Sequence, residues 1–247
     1  MITMHKSFYV LNMKSHWFGF EKKISHLISL RTYQNIRENE NLNHFGCIAY
    51  PTHTIEINLK ESTDTLIGNL SSNIKKEIKK GKKYGIQCSQ ENNIDLFLPL
   101  YNEFATAKKI YPVKKKTIES FGRHFQTTFA LFNNEIVAAH SYIVDENEGI
   151  ARLYQSCSKR LENGINKEII GIANKILTVE DIFYFKKKGF FYYDLGGIAP
   201  ESKDKDLQGI NHFKKQFGGK PTSYLNIDTV PYYLLRKITE KLDFRYK

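Results

Sequence analysis

The residues able to move a proton or hold a charge fall at a few marked places in this chain of 247 residues. His140 lies in Ala138-Ala139-His140-Ser141-Tyr142, whose apolar neighbours read as a central strand. An imidazole titrates near neutrality, as a general base should; a histidine satisfied within the core is the other reading. Asp194 lies in Tyr193-Asp194-Leu195-Gly196-Gly197, where a strand runs into a Gly-Gly turn. It is the second candidate base, or it caps that turn. Lys214 would reach a phosphate or pair with Asp194. Tyr154, on an adjoining strand, would be an acid, a substrate contact or core.

Glu168-Ile169-Ile170-Gly171-Ile172-Ala173 is expected as a turn ahead of a helix running from Asn174 to Lys188. Small residues there let backbone N–H groups approach a diphosphate, and the helix dipole favours the charge. Gly171, Ile172, Ala173, Asn174 and Lys175 are therefore the candidate donor-binding residues. Simple relief of a tight turn at Gly171 is the alternative. Tyr101 would stack on a nucleotide base.

The elements that must position these groups follow from periodicity and punctuation. Short strands are expected at Phe8–Leu11 and Cys47–Tyr50, with Pro51 breaking the chain. Thr54-Ile55-Glu56-Ile57-Asn58-Leu59 alternates as a half-buried strand does. Leu66, Leu70, Ile74 and Ile78 give one helix an apolar face, stopping at Gly81. Helices are expected over 94–110 and 118–127, the first with Pro99 inside it. A hairpin joins 128–132 to 136–144 through Asn133-Asn134, and a strand covers 149–157. After the 174–188 helix come a strand over 190–195, a helix over 207–217, a strand over 223–227 and a helix over 232–242. This order predicts an α/β class, a mixed sheet with helices packed on it.

The net charge of +11 favours an anionic partner. Six lysines and one glutamate between Lys75 and Lys83 supply +5 of it, on a helix end, so no broad nucleic-acid face is evident. Cys47, Cys88 and Cys157 are too few and too far apart for a disulfide framework or a zinc site, and read as reduced thiols. No metal is expected. Charged residues interrupt the first 30 positions, and no run reaches the ~18 apolar residues of a spanning helix. A soluble, cytoplasmic protein without membrane contact is expected.

Two motifs carry a resemblance. Gly171 and Ala173 resemble the Gln/Arg-x-x-Gly-x-Gly/Ala turn of the GNAT acyltransferases, with Glu168 departing from the usual Gln or Arg. Tyr193-Asp194-Leu195-Gly196-Gly197-Ile198 and Phe213-Lys214-Lys215-Gln216-Phe217-Gly218-Gly219 resemble the FemAB-like branch, the nonribosomal peptidyltransferases. Ile57-Asn58-Leu59 and Lys82-Lys83-Tyr84-Gly85-Ile86 add to it, so the resemblance spans about residues 54 to 227. It implies a GNAT-like acyltransferase domain over 91–247, with a reduced GNAT-like region over 1–90. The implied activity is acyl transfer from acyl-CoA, a co-substrate rather than a tightly bound cofactor, to the amine of a nucleotide-linked amino sugar. The alternative is an aminoacyl-tRNA-dependent transferase acting on a peptidoglycan precursor; only there would a nucleic acid be a partner. A degenerate GNAT fold serving as a binding module is the non-enzymatic reading. The tyrosine that many GNAT enzymes place on the helix after the fifth strand is missing from 207–217. Tyr224 would replace it, or the thiolate leaves unprotonated.

Overall fold

A computed structural model describes residues 1–8, 11–37, 45–162 and 166–242. Its strands are β1 (Ile2–Phe8), β2 (Leu11–Trp17), β3 (Arg31–Arg37), β4 (Cys47–Asn58), β5 (Gln87–Ser89), β6 (Phe125–Phe132), β7 (Glu135–Asp145), β8 (Ile150–Ser158), β9 (Tyr192–Ile198) and β10 (Lys220–Thr229). The helices are α1 (Thr63–Asn69), α2 (Ser72–Tyr84), α3 (Ile94–Ala107), α4 (Lys115–Glu119), α5 (Lys167–Lys187), α6 (Lys205–Lys215) and α7 (Val230–Leu242). All ten strands form one mixed sheet in the order β1-β2-β3-β10-β4-β9-β8-β7-β6-β5. Only β2/β3 and β8/β9 run parallel. Strands from residues 1–90 and 91–247 interleave, because β10 lies between β3 and β4.

Alternation along the strands builds a core on each face. Ile55, Ile57, Tyr193 and Leu195 pack with Val179, Ile182 and Phe185 of α5. On the other face Phe97 and Tyr101 of α3 pack with Phe121, Phe125, Phe129 and Trp17. The expected hairpin is present, with Asn133 and Asn134 both at positive φ, as a tight turn of matching twist requires.

Several boundaries differ from the sequence reading. Residues 9–10 of the strand expected at 8–11 lie outside the described residues, while Phe8 closes β1 opposite Leu11 of β2. Pro51 sits inside β4; β9 pairs with β4 only from His53 onward, so that side of the ladder needs no proton from Pro51. The helix expected from Leu66 to Gly81 is two helices, because Leu70 is extended and Ser71 caps anew, accepting from the Ile74 N–H. The helix expected at 118–127 is the five-residue α4; Gly122 turns at φ +56° and Phe125 already pairs with Ile143.

Gly81 does not stop α2. It lies buried where α2 crosses α5, and a Cβ there would stand 1.8 Å from Ile176 Cδ1 and 3.3 Å from Ile172 Cγ2. The helix ends at Gly85, whose φ of +70° only glycine adopts freely. Gly81→Val should therefore push the helices apart and cost about 1–3 kcal/mol in urea unfolding; a loss below about 0.5 kcal/mol would show that this crossing is loosely packed.

Candidate active site

β8 and β9 pair at Ile150↔Tyr192, Ala151↔Tyr193 and Arg152↔Asp194, and then part. β8 continues to Ser158 along β7, and β9 continues to Ile198 along β4. Beyond the last pair the two facing strand edges have no ladder between them among the described residues. Just past the last pair the strands still lie close at Gly196: its φ is +78°, and a Cβ would lie 3.0 Å from the Leu153 carbonyl oxygen.

At the vertex sits a charge pair. Arg152 Nη1 donates to Asp194 Oδ2; the arginine side chain is 12% exposed and the carboxylate not at all. Asp194 also accepts from Thr54 Oγ1, from Asn35 Nδ2 at 3.2 Å and from the Gly196 N–H at 2.7 Å. It is an anchored anion with its lone pairs committed. Lys214 Nζ donates to the Gly197 carbonyl at 2.7 Å rather than to Asp194. Burial and the nearby Arg152 charge push this ammonium down to about 8, against the pull of Asp194.

A second acid lies alongside. Glu56 is opposite Asp194 in the β4–β9 register. Its Oε2 accepts from Arg37 Nη2 at 3.0 Å and from the Tyr224 hydroxyl. Burial raises the Glu56 carboxyl, opposed by Tyr224 and Arg37, while the Asp194 charge raises it further. Arg37 lies 4.3 Å above the Tyr192 ring and 5.5 Å from that of Tyr224. The Tyr224 hydroxyl itself is pushed up, first by burial and then by its bond to Glu56. Among the described residues no partner is found for the buried Trp17 Nε1 and Asn35 Oδ1, both of which belong to side chains contacting this pair.

The sequence-derived candidates are dispersed. His140 is on the opposite face from Asp194, buried under α5. Its Nδ1 meets Asp181 Oδ2 at 2.8 Å and its Nε2 meets Asn174 Oδ1 at 2.8 Å. Thr128 and Tyr142 donate to the same Asp181 oxygen, and Tyr142 bonds Tyr193. This network ties α5 to β6, β7 and β9. His140 and Asp194 therefore cannot serve one substrate group.

The diphosphate turn is corrected by the start of α5. Its first turn is already capped: Asn166 Oδ1 accepts from the Glu168 and Ile169 N–H groups, so Gly171 lies inside the helix. Ile172 and Ala173 are buried, Asn174 serves His140, and Lys175 pairs with Glu77 at 3.3 Å. Glu168 points to Lys80, 3.1 Å away. Tyr101 offers no exposed ring; it stacks on Phe97 within the core. Tyr154 is wedged edge-on against Trp17 and Phe121, and burial lifts its hydroxyl to about 12.

Sequence reasoning missed Glu56, Arg37 and Arg152. The available signal was an acid at a polar position of an alternating strand, Ile55-Glu56-Ile57, with an arginine at a polar position of another, Ala151-Arg152-Leu153. Among the described residues no group of His, Cys, Asp or Glu is placed to hold a metal, and no helix is long and apolar enough to cross a membrane.

This arrangement defines a mixed α/β fold, the class expected from the order of elements. No family model and no curated protein matches the chain. Solved structures share the fold. FemX has a TM-score of 0.67 at 10% identity, over 96% of this chain and 85% of that one. A C-terminal DUF2156 domain from Agrobacterium fabrum has a TM-score of 0.62 at 12% identity, over 96% and 84%. L-PGS from Bacillus licheniformis has a TM-score of 0.59 at 11% identity, over 92% and 80%. At such identities the likeness is one of fold.

His140→Phe removes one donor from the fully buried Asp181, whose Oδ1 already has no partner among the described residues. Urea unfolding should show a loss of about 1.5–3 kcal/mol. An unchanged midpoint would mean that the network does not secure α5.

Proposed function

We propose that the protein transfers the acyl group of an activated donor to an amine, with the reacting centre at the parting of β8 and β9. The observation that carries this is the pair of facing strand edges beyond Arg152 and Asp194. Their backbone groups have no ladder to join, and an extended donor bearing amides would complete them as a strand does. Acyl transfer then follows one path. The amine nitrogen forms a bond to the acyl carbon, the bond from that carbon to the leaving group breaks, and the amine proton must go to a base.

Glu56 suits that task. Its carboxyl is raised toward the range where a base works, and it stands beside the vertex with one oxygen held by Arg37 and Tyr224. Asp194 sets the field and the strand geometry instead. Lys214 offers a positive charge to an anionic group on donor or acceptor.

For the donor, acyl-CoA with a nucleotide-linked amino sugar as acceptor remains the reading drawn from the motifs. One observation favours an aminoacyl-tRNA instead. Among the described residues the segment 168–173 expected to cradle a pyrophosphate is helix, whereas Lys76, Lys79, Lys82 and Lys83 stand exposed on α2 beside α5. Purified protein incubated with acyl-CoAs and nucleotide-linked amino sugars, and separately with aminoacyl-tRNA and amine acceptors, decides between them. Release of free thiol supports the first and loss of the aminoacyl ester the second; neither, across a broad panel, counts against acyl transfer.

With whichever donor is active, Glu56→Gln should lower kcat about 10²–10⁴-fold while the protein stays folded. A drop of less than about fivefold removes Glu56 as the base. Lys214 is charged below its folded pKa, so affinity for an anionic substrate should fall as pH rises through about 8. In Lys214→Arg that fall should vanish from the pH range up to 10; a retained fall at the same pH would assign it to another group.

A further inference from the structure

The end of the sheet that carries α7 exposes an unusual amount of apolar surface. Ile24 and Ile28, on the turn between β2 and β3, are 89% and 87% exposed, and Phe45, ahead of β4, is 82% exposed. Leu234 and Ile238, one turn apart on α7, are 54% and 55% exposed. These segments adjoin one another. The Val230 N–H donates to the Gly46 carbonyl, Thr229 Oγ1 donates to the Ser29 carbonyl, and a Cβ on Gly46 would touch Leu27 Cδ2. α7 also packs against the 3₁₀ turn Ile24–Leu27.

Large exposed apolar side chains gathered on adjoining segments mark an interaction surface. Charge and shape say which partner. Around these side chains Lys22, Lys23, Arg31, Arg236 and Lys237 stand against Glu21 and Asp228, five cations to two carboxylates. A second copy docked on this face about a twofold axis would set like charge against like. Anionic headgroups complement it. Ile24, Ile28 and Phe45 project from turns almost wholly clear of the protein. A rigid partner would need a fitted pocket for each, whereas the headgroup–acyl boundary of a bilayer accepts them without one.

We infer that this end of the molecule docks on an anionic membrane surface, with Ile24, Ile28 and Phe45 entering the interface and the lysines meeting the headgroups. The contact is peripheral, and it revises the expectation of a protein without membrane contact. The parting of β8 and β9 contributes nothing to it.

The test is flotation of the full chain with vesicles of phosphatidylcholine alone, or of phosphatidylcholine mixed with phosphatidylserine. Binding is expected to the mixed vesicles and to fall at least about tenfold on phosphatidylcholine alone. The triple variant Ile24→Ser, Ile28→Ser, Phe45→Ser should lose at least about tenfold in affinity at an unchanged melting temperature. Lys22→Gln with Lys23→Gln and Lys237→Gln should weaken binding and its salt dependence together. No flotation with mixed vesicles overturns the inference. So does flotation undiminished in the triple variant, which would assign binding to the α2 lysines. Light scattering that shows a dimer abolished by the same triple change would give this face to a second copy and overturn it as well.

Discussion

A carboxylate with no exposed surface has to be neutralised where it stands, and Asp194 is neutralised from four sides. Arg152 supplies the charge, while Thr54, Asn35 and the Gly196 N–H fill the remaining acceptor positions. Those partners come from β8, β4, β3 and β9 itself. One buried anion thus fixes the last rung of the β8/β9 ladder and binds the N-terminal strands to the vertex. Removing one partner of such a pair leaves an uncompensated buried charge, so the arrangement is all-or-none. The parting of the strands depends on it, and so do the positions of Glu56 and Lys214 on either side.

The opposite face is held by a similar device with a different consequence. Asp181 of α5 draws in Thr128, His140 and Tyr142, and Tyr142 passes the contact to Tyr193 of β9. Tyr193 and Asp194 are neighbours that point to opposite faces. The two networks therefore meet across a single peptide bond. The helix side sets where β9 lies, and the vertex side uses that position. A catalytic role for His140 is incompatible with this division, because both its ring nitrogens are engaged beneath α5.

Much of the fold was legible because it is locally encoded. The alternation of Thr54–Leu59 and the Asn133-Asn134 turn each state their own conformation, whereas the Gly-Gly turn expected after Asp194 is strand, because β9 runs on through Gly196 and Gly197 to Ile198 in register with β4. The three N-terminal strands were not legible, since β3 is buried by β10, nearly 190 residues later in the chain at Leu225↔Ile36. The start of α5 was misplaced for a related reason. Gly171 reads as punctuation, yet its Cβ position is open space, and Asn166 had already begun the helix. In the candidate site, Asp194 and Lys214 were singled out by their motifs, although Lys214 bonds the Gly197 carbonyl and not the Asp194 carboxylate. Glu56 and Arg152 were not, because what distinguishes them from solvated strand residues is the cross-sheet neighbour each acquires on folding.

The most direct test of the account is amide hydrogen exchange on the protein with and without its bound donor. Among the described residues the facing edges at 153–158 and 195–198 have no ladder between them, and a donor bound as proposed would complete it. Donor binding is predicted to slow exchange of amides on both edges by about tenfold or more, in proportion to occupancy. Protection confined to α2 and the first turn of α5, with both edges unchanged, would contradict a reacting centre at the parting of the strands.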